Sequence, residues 1–391
     1  MRLAHRSILA TAPLILASAS ASAQATSDTT AARRDTARAA TPALPTFDFS
    51  GVLFANYQYG GVAGARSNNR FDLERAYLNF RAAAGERTSV RITPDVYQQT
   101  ASGSDAYYRG WAVRLKYAYA DYQLVEGKGD AMRASVRLGM LQTPIIEVEE
   151  QVWIRGLAQT AVDQTGFFSS ADLGATTTLT LPDRLGELQL GVYNGNGYQS
   201  RETDRFKDYG ARLTLAPFSK GDGLLKGFTV SPWIYKGATA SRFLAGQGTL
   251  EPVRESRRKD RYGVLVAVKD PRIQAGVQVA RRTDEREQAD TTVDIEPLVS
   301  THENSLVSAH TVIRPFAFSR ALPAWPLSFV ARVDRRADRD ADTESDFRVL
   351  GVGYDLSRKA SVWLDWQSLQ PRGDSAAPDT KTWFLHAIVN F

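Results

Sequence analysis

Residues 383–391 read Trp-Phe-Leu-His-Ala-Ile-Val-Asn-Phe. In an extended chain Trp383, Leu385, Ala387, Val389 and Phe391 share one face, and Phe384, His386, Ile388 and Asn390 share the other. The first row is apolar throughout and ends in an aromatic ring at the last residue. A tilted strand of about ten residues with one apolar row is long enough to cross a bilayer. A terminal ring on that row would sit at headgroup level. The stretch therefore predicts the closing strand of a membrane barrel.

The other end of the chain agrees. Arg2, His5 and Arg6 precede the apolar run 8–19, and Ala21-Ser22-Ala23 has the small-residue form of a cleavage site. Residues 1–23 are accordingly read as a signal peptide. Residues 24–45 are rich in Ala, Thr, Asp and Arg without an aromatic, and predict a flexible periplasmic lead-in. The remainder, 46–391, is expected to be the barrel domain. From Phe47 onward the periodicity is two, and sixteen candidate strands follow, beginning 47–57, 71–83, 88–98, 110–124 and 131–141 and ending 381–391.

The connections alternate in length. Segments 84–87, 183–186, 270–272 and 356–359 are tight, whereas 58–70, 99–109, 142–170 and 196–206 are long and polar. Short periplasmic turns, long external loops and an even strand count describe an all-β, transmembrane antiparallel barrel. Both termini are then expected in the periplasm of a Gram-negative-type cell. Tyr57, Tyr59, Tyr107, Tyr108, Trp111, Tyr119, Tyr122, Trp233, Tyr235, Trp363, Trp366 and Trp383 fall near strand ends and are expected to form interfacial girdles.

Several chemistries are excluded. The chain has no cysteine, so disulfides, thiolate catalysis and Cys-ligated zinc are absent. A formal charge of +5 over 391 residues, with two of the arginines in the signal, is too small for a nucleic-acid partner. His302, His310 and His386 lie in distant segments and predict no metal cage. A lipase-type barrel would need a Ser–His pair, for which only Ser361 or Ser368 with His386 offers itself. Asp338, Asp340 and Asp342 begin like a calcium loop, but Thr343 and Val349 stand where the turn glycine and bidentate glutamate belong. No catalytic site, cofactor or metal is expected.

The charges are the informative residues. A charge facing lipid at the bilayer midplane costs about 2–4 kcal/mol. With Ala76, Leu78, Phe80 and Ala82 outward, Arg75, Tyr77, Asn79 and Arg81 turn inward. Arg91 and Asp95 follow on the next strand. Trp111, Val113, Leu115, Tyr117 and Tyr119 are expected outward, with Arg114 and Lys116 inward, and then Arg133 and Arg137 inward. These basic side chains form a wall that would attract anions, and the far side adds Arg261, Lys269, Arg282, Arg314 and Arg332, but also Asp334 and Asp365. The connection 142–170 is too apolar to float in water and is expected to fold back into the lumen as the third external loop. Glu147, Glu149 and Glu150 would then pair with the basic wall, and Arg155 would reach the permeant.

Residues 71–96, FDLERAYLNFRAAAGERTSVRITPDV, resemble the second and third strands of the phosphate-selective porin O/P family. VRLGMLQ at 136–142 followed by Thr143-Pro144, and ELQLGVYNGNGY at 187–198, are similar to its fifth to seventh strands. The resemblance implies a sixteen-stranded trimeric porin with a basic lumen, a constriction loop at 142–170, and pore-lining roles for Arg75, Arg81 and Arg91. It also implies phosphate or polyphosphate as solute. The expected function is passive diffusion of small hydrated anions across the outer membrane, with outer-membrane lipid and further copies of the chain as partners. The alternative is a non-conducting barrel serving as an adhesin or surface structural protein.

Overall fold

The structure, a computed structural model, describes residues 47–98, 110–202, 204–240, 255–288, 298–318, 325–373 and 377–391. Residues 1–46, where the signal peptide and lead-in are expected, lie outside the described residues, as do Tyr107 and Tyr108. Sixteen strands follow one another: β1 (Phe47–Val62), β2 (Asn68–Ala83), β3 (Thr88–Gln98), β4 (Trp111–Val125), β5 (Arg133–Gln142), β6 (Ala171–Thr180), β7 (Gly186–Tyr193) and β8 (Asp208–Leu215), then β9 (Phe228–Ala240), β10 (Ser256–Lys269), β11 (Ile273–Gln288), β12 (Leu298–Ile313), β13 (Leu327–Asp338), β14 (Thr343–Asp355), β15 (Ala360–Gly373) and β16 (Thr380–Asn390). Each pairs antiparallel with its chain neighbours, and β1 pairs with β16. The sheet is a closed barrel, which leaves no edge with unpaired amides and carbonyls.

All sixteen expected strands are present. Some run further at the end that carries the long connections. The last residues of β11, Glu285–Glu287, pair with Val299–Thr301 in β12, although this stretch is polar on both faces. Period-two reading stops where the apolar row stops, while the hydrogen-bond ladder continues beyond it. Val113, Leu138, Val277 and Leu350 stand on the outer face and are exposed. Trp111 and Trp383 stand above this belt, and Phe49, Tyr122 and Tyr354 below it.

The closing seam joins the two ends of the barrel domain. The Phe391 amide donates to the Gly51 carbonyl at 3.0 Å, and the Gly51 amide donates to the Phe391 carbonyl at 2.9 Å. The Phe391 ring covers residue 51 so closely that an added Cβ would lie 2.2 Å from it.

Bulges decide which side chains enter the barrel. The register steps between Phe54 and Ala55 opposite Glu74, and between Thr93 and Pro94 opposite Lys116. Pro94 has no amide hydrogen for the ladder, which favours a bulge there. One extra residue exchanges the faces of everything beyond it. Trp111, Val113 and Leu115 face out as expected, but Tyr117 and Tyr119 do not. Beyond Lys116 both turn inward, Tyr117 beneath Arg91 and Tyr119 beside Arg137. Trp233, Tyr235 and Trp363 are likewise inside the barrel and buried, rather than in a girdle. Trp233 and Tyr235 stand in the middle of β9 and Trp363 near the start of β15, and a segment of the chain covers them.

Candidate functional site

That segment connects β5 to β6. It forms two short helices, α1 (Ile146–Glu149) and α2 (Ala161–Gln164), and packs inside the barrel. Ile145, Ile146 and Val162 are completely buried. At one end of the segment Phe168 meets Trp233 and Tyr235 edge-on, with ring centroids 5.3 and 5.0 Å away. At its middle Trp153 and Leu157 pack with Phe54, Val349, Trp363 and Ile388. Each such fully buried side chain contributes about 1.5–3 kcal/mol, which is what draws the segment out of water. Gly156 lies against β1 and β16, where an added Cβ would be 2.6 Å from Ile388 and 2.9 Å from Phe54.

Short helices and irregular backbone leave carbonyls without partners, and inside a barrel these need donors. The wall supplies them. Arg212 on β8 donates to the Pro144 carbonyl, Arg261 on β10 to Phe167, and Arg282 on β11 to Gly166. Arg332 on β13 donates to Gln159, and Gln367 on β15 to Leu157 at 2.8 Å. Three of these arginines, Arg261, Arg282 and Arg332, were expected to add positive charge to a passage. They hold the loop instead, and carboxylates accompany them: Asp284 beside Arg261 and Arg282, and Asp334 beside Arg332. Lys269 and Arg314 lie at the turn end, away from the loop. Arg212 went unremarked in the sequence, although Ala211 and Leu213 flank it in the alternation that marks an inward charge.

The near wall, β2 to β5, carries the basic residues expected of it, but acids accompany several. Asp95 is completely buried and accepts from Arg75 at 3.0 Å and from Arg114 at 2.9 Å. Arg137 meets Asp121 at 2.7 Å and Glu147 at 3.1 Å. Arg91 donates to Asn79 and Thr93 and lies over the Tyr117 ring at 4.7 Å. Lys116, almost wholly buried, donates to the Tyr77 hydroxyl at 3.1 Å. Arg81 opposes Arg91 in the ladder nearer the turn end, and Arg133 begins β5 at that end.

The loop acids take three different positions. Glu147 joins the basic wall as expected, between Arg137 and Arg212, with Gln189 donating to it at 3.0 Å. Burial alone would raise its pKa, but the two guanidiniums hold it below the usual carboxylate range. Glu149 does not join the wall. It turns into the loop and accepts the Ala161 amide at 2.6 Å, and burial pushes its pKa up to about 7. Helical spacing accounts for the split, since residues two apart on α1 face opposite ways. Glu150 lies 3.7 Å from Arg155, which also meets Asp163 at 3.1 Å. Arg155 is thus tied within the loop. Burial opposes its charge, yet Tyr77, Asp163 and Glu150 keep its pKa above the ordinary guanidinium value.

Between loop and near wall lies a cavity of about 240 Å³. Arg91, Lys116, Arg155 and Glu150 line it, with Asn79, Thr93, Gln142, Tyr77 and Tyr117, and with Val52, Phe54 and Trp153. His386 faces the lumen with Nε2 2.9 Å from Asp365, while the Ser361 hydroxyl accepts from the Trp363 indole at 3.0 Å. His302, Asp338 and Asp340 approach one another at the loop end. There the Asp338 carboxylate accepts the Asp340 and Ala341 amides and Asp340 accepts the Glu303 amide, as in a turn.

Solved structures share this architecture. An anion-selective porin from Comamonas acidovorans superposes with a TM-score of 0.59 at 10% identity, covering 89% of this chain and 100% of that one. The fold is a porin fold. Salmonella typhi OmpF, solved with daunomycin, gives 0.58 at 11% identity over 88% of this chain and 97% of its own. The outer membrane channel DcaP of Acinetobacter baumannii gives 0.57 at 12% identity over 90% and 99%. No protein-family model matches the chain, and neither does any curated protein. The likeness is therefore one of fold.

Proposed function

We propose that the barrel is an outer-membrane channel through which small hydrated solutes diffuse passively, with anions preferred. One observation carries this reading. The cavity beside the loop is lined by three cationic side chains, Arg91, Lys116 and Arg155, against one carboxylate, Glu150. Fixed cations between low-dielectric walls attract anions and replace part of their hydration. Arg75 and Arg114 share one acid and so add one net positive charge nearby. Arg137 is balanced by Asp121 and Glu147, Arg81 stands in register with Arg91, and Arg133 begins β5 at the turn end.

The proposal includes the setting: a Gram-negative-type outer membrane, residues 1–23 removed on export, both termini in the periplasm, lipid against the apolar belt, and a homotrimer. Support for the trimer, and for phosphate or polyphosphate as solute, comes from the resemblance of residues 71–96 to the phosphate-selective porin O/P family. The burial of Trp153 and Phe168 between loop and wall favours a second reading, a non-conducting barrel that serves as an adhesin or surface structural protein. Reversal potentials of the purified protein in planar bilayers under a salt gradient separate the two. Anion-selective current supports the channel and cation-selective current overturns the role given to the basic cavity. No current at any voltage favours the second reading.

A further inference from the structure

We infer that the constriction favours organic monoanions with an apolar body, such as aromatic carboxylates, over inorganic phosphate. The inference rests on the channel reading above and names the solute class of the same cavity. Apolar side chains and cations share its lining with neutral polar groups and with Glu150. Val52 and Phe54 come from β1 and Trp153 from the loop, and these give a ligand no hydrogen bond except through the Trp153 indole, which already donates to the Ala158 carbonyl at 2.8 Å. Arg91 and Lys116 come from β3 and β4. Two strand spacings separate β1 from β3, about 10 Å between backbones. A solute in the cavity therefore meets carbon from β1 and Trp153 and cations from β3 and β4, with Arg155 and Glu150 on the loop side.

The Tyr117 hydroxyl and Nε and Nη1 of Arg155 make no hydrogen bond, and the strand cations keep further donors. Arg91 uses Nε on Thr93 and one hydrogen of Nη2 on Asn79, which leaves the second Nη2 hydrogen and both on Nη1. Lys116 donates once, to Tyr77, and keeps two hydrogens. The charge of Arg155 is paired with Asp163 and Glu150. Two cations without a carboxylate partner among the described residues, side by side on adjacent strands, suit the two oxygens of one carboxylate. Phosphate has four oxygens, each of which loses water on entry, and Val52, Phe54 and Trp153 offer those oxygens nothing in return. An apolar body set against the same three side chains gains from leaving water.

The test uses the purified full-length barrel in planar bilayers, with protein-free bilayers as the blank. Chloride reversal potentials are recorded first, then bi-ionic potentials for benzoate against phosphate at pH 6. Benzoate permeability is expected to exceed that of phosphate by about threefold, the factor that about 30 Å² of apolar burial gives. Val52→Thr, nearly isosteric and outside the tightly buried cluster, is expected to lower that ratio with the chloride preference intact, and Phe54→Asn to lower it further. A preserved chloride preference with phosphate equal to or above benzoate overturns the inference and leaves the channel reading standing. A benzoate preference that Val52→Thr and a folded Phe54→Asn both leave unchanged also overturns it. Loss of anion preference in the wild type overturns the channel reading itself, and this inference with it.

Discussion

Replacing Arg91 by glutamine removes one of two cations in the cavity that no described carboxylate neutralises, while the amide can still donate to Asn79 or Thr93. The cavity holds about 240 Å³, so an ion at its centre lies about 5 Å from a lining charge, where one unit charge is worth about 0.8 kcal/mol in water. Screening in 0.1 M salt, with a Debye length of about 10 Å, leaves about 0.5 kcal/mol. That is a factor of about 2.3 against the anion and the same in favour of the cation, so the anion-to-cation permeability ratio should fall about fivefold. Asp95→Asn should shift the ratio the opposite way, because it releases Arg75 and Arg114 together. Arg133 serves as the control. It stands six residues along β5 from Gly139, which is in register with Tyr119 and through it with Arg91. That is about 20 Å, beyond screening range, so Arg133→Gln should change the ratio little. Reversal potentials in a tenfold KCl gradient read all three variants. An unchanged ratio in Arg91→Gln, or a fall in Asp95→Asn, would refute the electrostatic account.

Two further outcomes follow from the loop and the seam. Glu149 is buried with its pKa raised to about 7 from an ordinary value of 4.5. A group raised on folding contributes stability that is complete below its unfolded pKa and is lost as pH rises through the folded one. The loop should therefore be cleaved faster by an added protease at pH 8.5 than at pH 4.5, and Glu149→Gln should flatten that difference; equal wild-type rates at both pH values would contradict the burial of Glu149. At the seam, Gly51→Leu forces the Phe391 ring off β1, where even a Cβ would come within 2.2 Å. A cost of about 1–3 kcal/mol for overpacking should show as a smaller folded fraction by heat-modifiable electrophoretic mobility, and a wild-type fraction would mean that the ring moves aside freely.

The sequence by itself determined the barrel. Period-two alternation marks the apolar row of the strands because one face meets a continuous apolar phase, and a charge there is too costly to hide. That constraint is local, so Trp383 to Phe391 alone carry it, and Phe391 lies where the alternation puts it, on β1 beside Gly51. Tertiary structure decided what the alternation does not encode. The bulge at Lys116 turned Tyr117 and Tyr119 inward, because register is set by pairing with β3 and the missing amide of Pro94 acts across strands. The use of Arg261, Arg282 and Arg332 to hold loop carbonyls depends on where a distant segment folds. So does the sharing of Asp95 between Arg75 and Arg114 across three strands. A charge pattern along one strand fixes a side chain's face, whereas the groups that meet it on that face are brought there by the closure of the barrel.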